Sequence, residues 1–218
     1  MSQILAIGTL AFDSIETPFG KTGKILGGSV NHFSLSASHF VPVRCVSIVG
    51  EDFPKEHLEL LQKRGVDTRG VHVEKGGKTF AWSGKYSYDL NNAETLATHL
   101  NVLERFDPEV PQEFRDTEFV FLGNLVPQIQ EKVLGQMKKP KFSAIDTMNF
   151  WIERQRDATI KSISKCNALI INEGEVRQLT QTYNIVQAAQ IVRGWGPQVL
   201  VAKRGEYGAV LFDHGVPF

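Results

Sequence analysis

No stretch of this sequence stays apolar long enough to cross a bilayer. No basic segment followed by an apolar helix and a small-residue cleavage site marks a leader. A cytoplasmic protein with no membrane partner is the expectation. Charge of one sign is not in excess, because 24 Lys and Arg balance 24 Asp and Glu. A nucleic-acid binder would show a basic excess or stripe, so that class is set aside. Cysteine is scarce. Cys45 and Cys166 lie far apart without metal-ligand spacing, and Cys45 sits in the apolar run of Val43, Val46 and Ile48. Buried free thiols are expected here, not a disulfide. Two phosphate-binding signatures are also missing. Gly20-Lys21-Thr22 and Gly77-Lys78-Thr79 end like Walker A loops, but Ile15 and His72 stand where the first glycine belongs. No Gly-x-Gly-x-x-Gly follows a strand. A P-loop NTPase and a Rossmann dehydrogenase both lose support, and the dehydrogenase becomes a distant third reading.

What is present is a core-forming composition and a rhythm. Apolar residues are 42% of 218, enough for one large domain or one with a small satellite. Short apolar runs at 4–9, 43–49, 119–122, 142–145, 168–171 and 199–202 read as buried strands. Helical spacing over 29–40 and 127–137 separates some of them. A further helix opens at Pro54, with Leu58, Leu60 and Leu61 as its core face, and ends at Gly65. The alternation predicts an α/β protein with a doubly wound, mostly parallel sheet and helices on both faces. Residues 207–212 read as a final antiparallel return. Residues 79–89 break the rhythm: Phe80, Trp82, Tyr86 and Tyr88 recur with a period near two, interrupted by Ser83 and Gly84. That pattern predicts an antiparallel hairpin with one covered face, inserted outside the main sheet.

Several segments carry chemistry. Asp13 follows the first strand, where ligands gather in doubly wound sheets; it can accept two hydrogen bonds from vicinal hydroxyls, or simply cap a turn. Gly27 and Gly28 precede a helix; they allow close backbone approach beside a helix N-terminus, or form an ordinary tight turn. Asn172, Gly174 and Glu175 follow the strand 168–171 and suit either a metal and phosphate site or a helix cap. Lys203, Gly205 and Gly208 follow the strand 199–202, where Lys203 can reach a phosphate or lie in solvent. Asp146-Thr-Met-Asn149 ends another strand.

In order, Ile25-Leu-Gly-Gly-Ser-Val-Asn-His-Phe-Ser-Leu-Ser36, Val49-Gly-Glu-Asp-Phe53, Asn172-Glu-Gly-Glu175 and Lys203-Arg-Gly-Glu-Tyr-Gly208 resemble the ribokinase, or PfkB, family of carbohydrate and nucleoside kinases. The resemblance runs from Ile4 to Phe212. It implies a ribokinase-like α/β domain over 1–218, incomplete at its C-terminus, with strands of a small β-sheet lid inserted at about 13–25 and 78–103. It implies an ATP- and Mg²⁺-dependent kinase acting on a hydroxymethyl group of a sugar or nucleoside. Asp13, Gly27 and Gly28 would hold that acceptor. Aligned without a gap to the family's Gly-Gly-Ser-Ala-Ala-Asn, His32 takes the place of the substrate-binding asparagine and Asn31 falls one place early, so both are candidates. Asn172, Glu175, Lys203, Gly205 and Gly208 would serve nucleotide and phosphate, with Glu175 reaching Mg²⁺ through water. The lid aromatics would stack on the acceptor or pack against a second copy in a homodimer. The family's catalytic aspartate lies in a Gly-Ala-Gly-Asp segment, and no Gly-x-Gly-Asp occurs here. It is expected beyond Phe218, so no catalytic residue is assigned and the 218 residues are expected to be inactive alone. A non-catalytic sugar- or nucleotide-binding protein is the alternative.

Overall fold

The computed structural model of the protein describes residues 2–88, 90, 93–214 and 216–217. Its main sheet has nine strands in the order β14-β13-β12-β11-β10-β9-β1-β5-β6. These are β1 (Ile4–Ile7), β5 (Val43–Gly50), β6 (Val66–Glu74), β9 (Phe119–Leu122), β10 (Phe142–Ile145), β11 (Ala168–Asn172), β12 (Val199–Lys203), β13 (Ala209–Asp213) and β14 (Val216–Pro217). From β12 to β6 all neighbours are parallel, whereas β13 and β14 return antiparallel. The central strand β1 shows why its short run is wholly apolar. Leu5 and Ile7 enter one core and Ala6 the other, all at 0% exposure, as a parallel strand covered on both faces requires.

Helices α1 (Ser29–Ala37) and α2 (Lys55–Lys63) pack on one face, where Phe33 stacks on Phe121 at 3.9 Å. Helices α6 (Glu173–Thr180) and α7 (Ile185–Trp195) lie against β11 and β12, and α3 (Pro127–Gln136), α4 (Asn149–Arg154) and α5 (Arg156–Ile163) supply further buried side chains. β1 lies between β5 and β9, so the order of strands reverses there. This is the switch point at which an open α/β sheet forms its ligand crevice.

A second sheet stands apart. β2 (Ala11–Thr17) pairs with β3 (Gly20–Lys21), with β4 (Ile25–Gly27) and with β7 (Ala81–Tyr86), and β7 pairs with β8 (Ala93–His99). Only one strand of the hairpin expected at 79–89 lies inside that range. Its partner is β8, and the interruption at Ser83 and Gly84 is a register shift within β7. Asp89, at the end of the expected hairpin, lies outside the described residues.

Two other expectations are corrected. In α2, Leu60 is exposed and His57 is buried in its stead. The helical period carries Leu61 and His57, four residues apart, to the same face. Tyr207 belongs to a short 3₁₀ turn, not to the return strand. The edge strand β6 was not anticipated, because its half-exposed pattern of Val66, Val71 and Val73 among charges hides the strand period. Cys45 and Cys166 are buried and unpaired, and burial pushes their thiols up to about 12 and about 11. Among the described residues no helix is long and apolar enough to cross a membrane.

Candidate active site

Five strands end at one crevice. Thr9 follows β1, Asn124 follows β9, Asp146 and Thr147 follow β10, Glu175 opens α6 after β11, and Lys203 ends β12. With Asp13, Gly28, Ser29, His32, Phe80, Trp82 and Met148 they line a cleft of about 270 Å³. Trp82, Met148 and Glu175 also border an adjoining cavity of about 430 Å³, walled by Tyr86, Ala93 and Thr95 of the second sheet and by Asn149, Asn172, Gly174 and Gln178.

The glycine pair is demanded by geometry. A Cβ on Gly27 would stand 1.9 Å from Asp13 Oδ2, so the carboxylate occupies the space a side chain would fill. Gly28, the N-cap of α1, has φ +98°, and a Cβ there would meet the Thr9 carbonyl oxygen at 2.2 Å. Burial raises the Asp13 pKa, and the charge of His32 and the Gly28 N–H oppose that rise. The first turn of α1 is less open than a bare helix start. Ser29 N donates to Thr9 Oγ1 at 3.0 Å and Val30 N to the Thr9 carbonyl at 3.1 Å. Thr9 therefore takes two of the donors that the sequence suggested for a ligand.

His32 and Asn31 go different ways. His32 lines the cleft. Asn31 is 2% exposed and its Oδ1 lies 2.7 Å from His57 Nε2, on the α2 side. One helical position rotates by about 100°, so adjacent residues cannot both face the crevice.

The Asn172 to Glu175 motif is a complete capping box. Asn172 Oδ1 accepts from Glu175 N at 2.8 Å, and Asn172 N donates to Glu175 Oε2 at 2.9 Å. The same box sets Glu175 at the cleft wall, so the helix-cap and site readings describe one arrangement. Burial pushes the Glu175 carboxyl up to about 7, the nearby Asp146 charge adds to this, and the Asn172 and Asn149 N–H groups and Lys203 oppose it. Burial likewise pushes Asp146 up to about 6 against the pull of Lys203. Lys203 Nζ stands 3.5 Å from Asp146 Oδ1. That oxygen is buried without a hydrogen-bond partner, as is the Thr147 hydroxyl. Gly205 and Gly208 lie in the exposed turn after β12, where Gly205 has φ +59° and Gly208 +81°, and neither lines the cleft.

Sequence reasoning missed Thr9, Ser29 and Asn124. Asn124 is held by Trp151 Nε1, which donates to its Oδ1 at 3.0 Å. It also missed Gln130, whose Nε2 donates to the Gly123 and Asp146 carbonyls at 2.8 Å each and so ties the ends of β9 and β10 together. A lone polar residue after a strand or inside a helix carries no sequence signal of this kind. Only the strand order could have pointed to Asn124.

Comparison with known proteins agrees with this fold. The chain is 26% identical over 217 residues to the cytidine kinase of Thermococcus kodakarensis, spanning 98% of this chain and 77% of that enzyme. A Burkholderia thailandensis nucleoside kinase in complex with ADP-inosine superposes with a TM-score of 0.77 at 16% identity, covering 99% of this chain and 73% of that one. The nucleoside kinase of Methanocaldococcus jannaschii, an archaeal member of the ribokinase family, gives 0.74 at 17% identity, covering 100% and 75%. The model of the pfkB family carbohydrate kinases matches residues 2–217. With a crevice at the strand-order switch and a family model matched almost end to end, the chain belongs to the pfkB family of carbohydrate kinases.

Proposed function

We propose that the protein acts on a nucleoside, directing the γ-phosphoryl group of ATP to its hydroxymethyl group. One observation carries the choice of acceptor. Among the described residues, the basic side chains lining the cleft are Lys203 and His32, and Lys203 is paired with Asp146. Among the described residues, the adjoining cavity offers two aromatic rings, a set of uncharged amides and hydroxyls, and Glu175 as its one acidic lining residue. A phosphorylated sugar would meet no basic cluster there. A nucleobase finds an indole and a phenol to pack against and the Asn149 and Gln178 amides for its edge. The names of the cytidine kinase and of the kinase bound to ADP-inosine support the same reading.

In this reading Asp13 accepts hydrogen bonds from the ribose hydroxyls, Gly27 and Gly28 let them approach, and His32 lies beside them. Asn31 serves indirectly, by fixing α1 through His57. Asn172, Glu175 and Lys203 face the phosphates, with Gly205 and Gly208 shaping the nucleotide-side turn. Magnesium would find two hard oxygen donors at this wall, Glu175 and Asp146, whose buried Oδ1 is otherwise met only by Lys203 at 3.5 Å. When bound, the ion would neutralise charge developing on the phosphate oxygens. The second sheet acts as a lid that keeps water from competing as acceptor. No residue of this chain is assigned as the base for the acceptor proton.

Calorimetric titration with cytidine, inosine, ribose and fructose 6-phosphate tests the reading. Nucleosides should bind and the two sugars should not; preference for either sugar would sink it. Nucleoside binding without any ATP turnover would favour the non-catalytic alternative. The lid also bears on assembly. Phe19 and Tyr88 are exposed at 74% and 80% and meet edge to face at 6.0 Å, and Leu96 is exposed as well. A homodimer through this sheet is expected, and sedimentation velocity of Phe19→Ser should show a shift toward monomer.

A further inference from the structure

One motif has no part in the site: Val49-Gly-Glu-Asp-Phe53, at the end of β5. Its residues lie against both roots of the second sheet. Thr79, 1% exposed, is the point where the chain turns toward β7. Asp52 Oδ1 accepts from Thr79 N at 2.8 Å and from Thr79 Oγ1 at 2.7 Å, while Thr79 Oγ1 accepts from Gly50 N at 3.0 Å. The way out of the sheet is tied to the same residue, because Asn101 Nδ2 donates to the Thr79 carbonyl at 2.9 Å. Two more contacts brace this root: Glu51 N donates to the Gly77 carbonyl at 3.1 Å, and Gly76 N donates to Glu51 Oε2 at 3.1 Å. A Cβ on Gly50 would lie 2.4 Å from that Gly77 oxygen, so only glycine permits the approach. At the other root Phe53 packs on Phe12 of β2, with ring centroids 5.9 Å apart. Phe12 N in turn donates to the Phe80 carbonyl at 3.0 Å, joining the two roots.

We infer that the Gly50–Phe53 turn is the seat of the lid, with Asp52 and Thr79 as positioning residues that hold Phe80 and Trp82 over the cleft. Phe80 and Trp82 are the first residues past Thr79 to line it. A seat of this kind acts on the acceptor through the lid and leaves the phosphate wall of Glu175 and Lys203 untouched. The inference rests on the lid reading above for its effect on binding, but the seat itself can be tested without any ligand.

Hydrogen exchange read by mass spectrometry on Asp52→Ala, Thr79→Val and Thr79→Ser provides that test. The first two variants should speed exchange in β2, β7 and β8 by about 10-fold, with β1, β9 and β11 unchanged. Thr79→Ser keeps the hydroxyl and should match the wild type. Asp52→Ala spares Thr79 and decides the matter if Thr79→Val does not fold. Unchanged lid exchange, or a rise shared by β1, β9 and β11, would overturn the seat. Calorimetry then reads its consequence. Cytidine affinity should fall by about 10-fold in Asp52→Ala while ATP affinity stays level, an equal loss of both pointing to general damage. A wild-type protein that does not bind cytidine would contradict the proposed function while the exchange data still judged the seat.

Discussion

Replacing Asp13 by Asn is expected to weaken cytidine binding by about 100-fold or more, with ATP binding nearly unchanged. In its proposed role the carboxylate accepts two charge-assisted hydrogen bonds, each worth about 1.5–3 kcal/mol, and 1.4 kcal/mol is a factor of ten. Asparagine keeps the volume pressed against Gly27 and one oxygen for the Gly28 N–H, so the fold should survive. It loses the charge and turns one acceptor into a donor. Isothermal titration against both ligands decides the matter. Equal affinity of wild type and variant for cytidine would remove Asp13 from the acceptor site. The raised pKa of Asp13 adds a pH signature: wild-type affinity should fall as acid protonates the carboxyl, and the variant should lack that decline.

The second large effect concerns stability. Glu175 and Asp146 titrate near 7 and near 6 in the folded protein, above their ordinary values of 4.5 and 3.8. Between pH 4.5 and 7 the folded chain therefore holds protons that the unfolded chain has released, and stability falls as pH rises through that window. The two groups interact, so they titrate as a pair. By pH 8 their ionisation should cost roughly 2–3 kcal/mol relative to pH 5. Glu175→Gln retains an oxygen for the capping box and removes one of the charges. Its melting temperature should exceed that of the wild type at pH 8 and converge with it near pH 5. Comparing the two proteins isolates the pair from His57, whose depressed pKa acts in the opposite sense and is common to both. Added Mg²⁺ should raise the wild-type melting temperature more at pH 8 than at pH 5.5, and should do less for the variant. A variant curve parallel to the wild type across the range would refute this account of Glu175.

The sequence carried the architecture because parallel strands buried on both faces leave uninterrupted apolar runs, as in β1, β9 and β11. It carried the glycine pair because close approach to Asp13 and a positive φ leave no alternative residue. It blurred wherever a residue's direction depends on packing. Asn31 and His32 are neighbours in a helix, and only the burial of Asn31 against His57 shows which of them faces the cleft. The hairpin was misplaced because a bulge at Ser83 and Gly84 resembles a turn in one dimension. A Cβ on Gly84 would lie 2.1 Å from the Trp82 indole, so glycine there makes room for a ring. Asn124 and Gln130 stayed hidden because their roles come from strand order, which joins segments far apart along the chain.

The parallel pairing of β2 with β7 sets a timetable for synthesis. Asp13 lies opposite Trp82, a separation of 69 residues. At typical elongation rates of roughly 5–20 residues per second, β2 leaves the ribosome several seconds before its partner exists. During that interval the early hairpin of β2 with β3 and β4 has an unsatisfied edge, and the loop closed by the pairing is long enough to carry a sizeable entropic penalty. The main sheet can already join β1 to β5 and β6 from residues before 75. The second sheet is thus assembled onto a partly formed platform, and the cleft is completed by chain that arrives after that platform.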